Sequence, residues 1–292
     1  TSSSKLRRRL RLARKILASH HTQPATALWR IPEVEVVLDN LRGQGRGLDL
    51  GCGDGTLAAV LLANTRGVLW FGLDLDSRDA VAAERSGLYE RVTVASASDI
   101  PLADASFDLV FSNSALEHML SLSRVVKEVA RIVRPGGRFI FTVPTPEIHD
   151  NLLWARILRR LGLRSTASRY LAHLDQRLAH LNYLSQEDWA HELERAGLKV
   201  ERSSPYLTRW ELAYWELLAN MTGGLAYILA AGRKTPREIQ QAFGVDRISS
   251  RLLSRIAYWL LVPVIVLSTL GLRTSRFSAL YLEARRVGPP DN

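Results

Sequence analysis

One stretch of this chain concentrates residues able to do chemistry: Leu48-Asp49-Leu50-Gly51-Cys52-Gly53-Asp54-Gly55-Thr56. Its alternating glycines let the backbone turn tightly and let a ligand approach it. The run follows a strand-like stretch and opens a helix-like one, which points to a nucleotide-like ligand. A dinucleotide site would want glycine where Thr56 stands, and would set a pyrophosphate at the helix start. Asp49 and Asp54 repel a pyrophosphate at short range, so the charges select a ligand with cationic centres. Asp74 closes the next apolar run, where a carboxylate can accept hydrogen bonds from both hydroxyls of a ribose; Asp76 is the rival position. The groups able to take or position a proton near neutrality are His118, His149, His180 and Tyr183. Each histidine has an alternative as a packed or exposed side chain without chemistry. Asn113 either lies near the reacting end of the ligand or caps a turn.

These residues need a frame to bring them together. From residue 47 the sequence alternates short apolar runs with helical spacings, the pattern of βαβ units around a parallel sheet. Strands are expected at 47–50, 68–73, 92–95, 109–112, 139–143, 198–201 and 277–285. Helices are expected at 57–63, 123–132 and 186–196, the last closed by Gly197. No internal repeat and no low-complexity segment interrupts the pattern.

The glycine loop resembles motif I of the class I methyltransferases that use S-adenosylmethionine, and the wider pattern resembles the type-11 methyltransferase domain over about residues 45 to 145. Gly72-Leu73-Asp74, Phe107-Asp108-Leu109-Val110, Leu116-Glu117-His118 and Arg134-Pro135-Gly136-Gly137 follow in the family's order. The resemblance implies a Rossmann-like doubly wound α/β sheet of seven strands with an antiparallel last strand, and S-adenosylmethionine as cofactor. Its sulfonium and ammonium suit the carboxylates of the loop. By the same resemblance Asp49, Gly51, Cys52 and Gly53 bound the methionine end, Asp74 and Leu75 the ribose and adenine, and Asn113 the region of the transferred methyl. The family often has Gly-Asp-Ala after the third strand where this chain has Ala95-Ser96-Ala97, so Ser96, Ala97 or Ser98 replaces an aspartate contact to adenine. His180-Leu181-Asn182-Tyr183 resembles the stretch that closes over the acceptor in many relatives. His180, Tyr183 and His118 are therefore the expected catalytic groups.

The composition limits the partners. A formal charge of +10 over 292 residues attracts anionic surfaces, nucleic acid or membrane. The one cysteine, Cys52, excludes an internal disulfide, and no Cys/His cluster has zinc spacing, so no metal is expected. The stretch Ser112-Asn113-Ser114-Ala115 lacks the Asn/Asp-Pro-Pro-aromatic pattern of amino-directed DNA methyltransferases. Five-carbon pyrimidine methylation needs a thiolate nucleophile, whereas Cys52 sits in the cofactor loop. A nucleic-acid acceptor is thus disfavoured, with an RNA O-methyltransferase as a minor alternative.

Three parts are expected: a basic amphipathic helix and lead-in over 1–44, the cofactor-binding domain over 45–203 and 277–292, and an apolar helical insertion over 204–276. In the N-terminal helix Leu6, Leu10, Ala13 and Leu17 share a face, while Arg7, Arg8, Arg11, Arg14 and Lys15 point elsewhere. No apolar leader with a small-residue cleavage site is seen, and a cytoplasmic setting is expected. The insertion carries two uncharged apolar runs, 217–232 and 256–272, each at or below the lower limit of roughly 17 to 25 residues for a membrane span. A two-span hairpin would carry Arg233, Lys234, Arg237, Arg247, Arg251 and Arg255 to the far side, against the positive-inside tendency. Helices lying in the interface of the cytoplasmic face are favoured, with Trp210, Tyr214, Trp215, Tyr258 and Trp259 as an aromatic belt. The expected activity is O-methylation of a lipophilic or lipid-linked acceptor at a membrane surface. The alternatives are a soluble small-molecule methyltransferase with the insertion as a lid, and a non-catalytic protein that uses the fold as an interaction platform.

Overall fold

The computed structural model describes residues 2–19, 24–221, 251–270 and 275–288. The run at 217–232 lies mostly outside these residues, as do Arg233, Lys234, Arg237 and Arg247. Seven strands form one sheet in the order β3-β2-β1-β4-β5-β7-β6. They are β1 (Gln44–Leu50), β2 (Gly67–Asp74), β3 (Val92–Val94), β4 (Phe107–Asn113), β5 (Val133–Pro144), β6 (Leu198–Thr208) and β7 (Phe277–Arg286). The first five pair in parallel, and β7 runs antiparallel to β5 from Pro144↔Ala279 to Arg138↔Arg285. The expected doubly wound sheet with an antiparallel seventh strand is therefore present.

Two strands run further than their apolar cores suggest. β5 begins at Val133 and takes in Arg134-Pro135-Gly136-Gly137, because a register shift between Phe107 and Leu109 of β4 accommodates the extra residues. β6 continues through Ser203, Ser204 and Pro205, which read as breakers in the sequence. It is an edge strand, where a missing proline N–H leaves no ladder bond unmade. The helix expected at 57–63 is a short α3 (Ala58–Leu61) followed by a 3₁₀ turn, Leu62–Asn64.

Residues cluster into two compact units. Val36–Pro146, His180–Tyr206 and Ala279–Asn292 form one; Thr1–Glu35, Glu147–Ala179 and Leu207–Ser278 form the other. In the sheet unit the core lies between the strands and α5 (Leu122–Ile132) and α9 (Gln186–Glu194). Leu48, Val110, Phe139 and Phe141 meet Val125, Val129, Trp189 and Leu193 there. The alternation of apolar residues along α5 puts Val125, Val126, Val129 and Ile132 on its buried face. A capping box, in which Ser185 and Asp188 satisfy each other's backbone donors, starts α9.

The second unit is helical. Its α1 (Ser2–Ser19) packs against the helix Arg251–Leu270, here α11. The buried face of α1 is Leu12, Ala13, Ile16 and Leu17, with Leu6 and Leu10 only half-buried. Arg9 is buried with that face because Glu35 and Glu211 accept from its guanidinium at 2.7 and 2.6 Å. Of the expected aromatic belt, Trp215 packs edge-on against Trp29 and Tyr258 is buried, whereas Trp259 is 68% exposed. Among the described residues no helix is long and apolar enough to cross a membrane.

Candidate active site

The glycine loop leaves the C-terminal end of β1, beside the point where the strand order reverses between β1 and β4. Ligands of open α/β sheets bind at such a switch point, because neighbouring connections diverge there and leave a crevice. The loop is held from beneath. The amides of Gly51 and Cys52 both donate to the carbonyl of Leu73, and the hydroxyl of Ser112 on β4 donates to the carbonyl of Leu50. Gly51 (φ +77°) has no room for a side chain: a Cβ would stand 2.7 Å from that of Ala115. Gly53 (φ +54°) differs, since beyond its own chain neighbours no atom of the described residues lies within 4 Å of the place its Cβ would take. The fold thus puts a left-handed glycine beside open space, the cradle a ligand needs to reach the backbone.

Asp74 borders this cradle. One carboxylate oxygen accepts from the Gly53 amide at 2.8 Å and the other from the Asp76 amide at 2.9 Å. A carboxylate has about four acceptor positions, so two remain for further donors. Asp76, the rival, caps α4 (Ser77–Arg85) by accepting from the amides of Arg78 and Asp79. Leu75 is 73% exposed next to Asp74, an apolar surface on which a nucleobase can lie. Ser96 is exposed beyond β3, and its hydroxyl lies 2.9 Å from that of Ser98; Ala97 is half-buried beside it. At the end of β4 the side-chain oxygen of Asn113 accepts from the Thr142 hydroxyl at 3.0 Å, which fixes the amide's orientation.

Two loop residues carry perturbed acidities. Asp49 is buried beneath the loop, where the Tyr89 hydroxyl donates to it at 2.6 Å. Burial raises its carboxyl to about 7; the Tyr89 hydrogen bond opposes the rise and the nearby charge of Asp74 adds to it. Burial likewise pushes the Cys52 thiol far up, assisted by Asp49 and Asp74, so it stays protonated and is no nucleophile. Tyr89 carried no signal in the sequence. Its role depends on the chain returning under β1 from α4, a contact that local pattern does not encode.

The catalytic residues expected from the sequence come together. The 3₁₀ turn Leu116–His118 follows β4, and the segment after residue 179 folds onto it. The amides of Leu181 and Asn182 donate to the Glu117 carbonyl, and the Asn182 side chain donates to the carbonyls of Leu116 and Met119. The imidazoles of His118 and His180 meet edge to face with centroids 4.9 Å apart, and Nδ1 of His180 lies 2.9 Å from the Tyr183 hydroxyl. The same turn carries Ala115, against which Gly51 is packed, so the cluster borders the glycine loop. His149 lies in the helical unit, where its Nε2 is 3.0 Å from Asp175.

Comparisons with known proteins bear on the family and the fold. A family described as a methyltransferase domain matches residues 48–141. A 27-O-demethylrifamycin SV methyltransferase of Amycolatopsis mediterranei is 34% identical over 116 residues, 36% of this chain and 42% of that protein. An uncharacterised methyltransferase of Schizosaccharomyces pombe is 31% identical over 188 residues, 60% of this chain and 69% of that protein. The chain spans about half the length of the first three curated relatives it matches, 42 to 53%. In fold it is similar to a geranyl diphosphate C-methyltransferase of Streptomyces coelicolor, solved with S-adenosyl-L-homocysteine. That likeness has a TM-score of 0.51 at 16% identity and covers 87% of this chain and 75% of that one.

Proposed function

We propose that this chain, which belongs to the family of class I S-adenosylmethionine-dependent methyltransferases, methylates an oxygen of a lipophilic or lipid-linked acceptor at a membrane surface. The observation that carries the cofactor assignment is the open, left-handed Gly53 with Asp74 at its edge and the buried acid Asp49 below. S-adenosylmethionine supplies a methyl group already activated by a sulfonium, which an acceptor atom takes by in-line displacement. The residues of the chain have the remaining tasks. Asp74 orients the ribose, Leu75 lies against the adenine beside Ser96 and Ala97, and the Gly51-Cys52-Gly53 backbone borders the methionine end. Asn113, held by Thr142, fixes the wall beside the methyl. Alignment is most of the catalysis in such a transfer, because a near-attack geometry is worth up to roughly 7 to 11 kcal/mol.

An oxygen acceptor must lose a proton as it is methylated. His180 suits that role: its Nδ1 is oriented by Tyr183, leaving Nε2 to meet the acceptor, and His118 lies against its ring. The membrane part of the reading is supported by the helical unit. On α11, Ala257, Tyr258, Leu261 and Ile265 are buried, while Ile256, Trp259, Leu260 and Leu267 are exposed on the opposite side at helical spacing. The partner helix α1 exposes Lys5, Arg7, Arg11, Arg14 and Lys15 and contains no acidic residue. An apolar stripe beside exposed cations suits an anionic lipid interface.

One observation favours a second reading, a soluble small-molecule methyltransferase with the insertion over 204–276 as a lid. A cavity of about 340 Å³ within the helical unit is lined by Trp154, Leu158, Tyr170 and Leu174 together with Asn220 of the insertion. Mass spectrometry of lipid extracts from cells with and without the gene separates the two. The membrane reading expects one lipid species to be lighter by a CH₂ group in the deletion strain. The lid reading expects unchanged lipids and a mass change among water-soluble metabolites.

A further inference from the structure

We infer that Glu117, His118 and His180 form a binding site for one divalent transition-metal ion at the acceptor side of the glycine loop. Each offers one ligand atom, and the three atoms lie within 4.8 Å of one another. Two imidazoles and one carboxylate are the donor set of open catalytic metal sites, which leave positions for water or a substrate oxygen. In a tetrahedral site with bonds of about 2.0 to 2.1 Å, donors stand roughly 3.3 Å apart. Glu117 Oε1 and His118 Nε2 are already 3.9 Å apart. The His118 side chain is 41% exposed, so a change of its rotamer closes the remaining distance without disturbing the core.

The surroundings are those of a built site. Ligating histidines are usually oriented by a hydrogen bond at the other ring nitrogen, which sets the tautomer and raises basicity. Tyr183 makes that bond to Nδ1 of His180 and leaves Nε2 to ligate. The Glu117 carboxylate is buried, and its backbone carbonyl receives the amides of Leu181 and Asn182. Together with the two bonds from the Asn182 side chain, these fix the His180 segment onto the turn that carries the other two ligands. The two segments that carry the ligands are thus joined through the backbone before any ion arrives, and the His118 side chain is the one that must turn. Glu117 and His118 are adjacent but His180 lies far along the sequence, and the three lack zinc-type spacing, which is why the sequence reading expects no metal.

Such an ion would hold the acceptor oxygen and lower its pKa; with Nε2 of His180 on the ion, this would replace direct proton transfer to His180, and the proton would leave to water. The role in methylation rests on the proposed function, but the site itself does not. The test therefore uses the metal alone: Co²⁺ titrated into the full chain free of any histidine tag, without cofactor or acceptor, followed by visible d–d absorption. The expected result is saturation at about one equivalent with the intensity of a four- or five-coordinate ion. His180→Ala and Glu117→Gln should each weaken binding by tenfold or more, Tyr183→Phe by about tenfold, and His149→Ala should leave it unchanged. His118 is half-exposed, so His118→Ala supplies a ligand deletion that keeps the fold, checked by near-ultraviolet circular dichroism. Absence of one-equivalent binding, or undiminished binding in both His118→Ala and His180→Ala, overturns the site and leaves the cluster as a metal-free proton relay.

Discussion

Cofactor binding should be coupled to a proton at Asp49. The empty protein holds this carboxyl at about 7 instead of its ordinary 3.8, mainly by burial. At 1.36 kcal/mol per pH unit, ionising it in the empty fold costs about 4 kcal/mol more than in the unfolded chain. Because the folded value is raised, Asp49's contribution to stability is fully present below pH about 4 and is lost as pH rises through about 7. A ligand whose ammonium and sulfonium sit over the loop reverses the balance, since a nearby cation favours the carboxylate. At pH 6 about nine-tenths of the empty protein carries the proton, so binding there should release close to one proton per site. Affinity should fall by up to tenfold per pH unit below 7. Calorimetric titration of S-adenosylmethionine at pH 6, in buffers of different ionisation enthalpy, counts the protons directly. Asp49→Asn keeps an acceptor for Tyr89 and cannot ionise, so its release should vanish. Equal proton release in wild type and Asp49→Asn would refute the reasoning and move the coupling to another group.

Five further outcomes are expected. Asp74→Ala should weaken S-adenosylmethionine by about 1.5 to 3 kcal/mol in calorimetry while the fold survives, because it removes a carboxylate from two hydroxyls; unchanged affinity would transfer the ribose role elsewhere. Gly53→Val should abolish cofactor binding and lower stability by about 1 to 3 kcal/mol in denaturant titration, since a β-branched residue takes up both the open space and a left-handed φ. Arg9→Ala should cost about 3 to 5 kcal/mol of stability, because Glu35 and Glu211 lose the cation they share in a buried setting. In vesicle sedimentation with anionic lipid, Trp259→Ser with Leu260→Ser should lose about 2 kcal/mol or more of salt-resistant binding. Replacing Arg11 and Lys15 by Gln should lose about 1 kcal/mol each, visible at low salt alone. Binding that ignores both changes would favour the lid reading.

The parts of the site legible in the sequence are those set by local pattern. Asp49, Gly51 and Gly53 stand out because a strand, a glycine turn and a helix follow one another within a few residues, and Asp74 because it ends the next apolar run. The extents of β5 and β6 were not legible, since a bulge and an edge position allow Pro135 and Pro205 inside strands. Tyr89 under Asp49, and Glu117 with His118 against His180, depend on segments distant in sequence packing together. The buried Arg9 was hidden for a related reason: on its own helix it is one basic residue among several, and only Glu35 and Glu211 set it apart.

The most direct test of the central claim is methyl transfer itself. Purified chain is incubated with methyl-labelled S-adenosylmethionine and a lipid extract from cells lacking the gene, and the label is followed into organic solvent. The account predicts organic-soluble label with the wild-type chain and none with Gly53→Val. Label confined to the aqueous phase, or the same organic signal with both proteins, would contradict it.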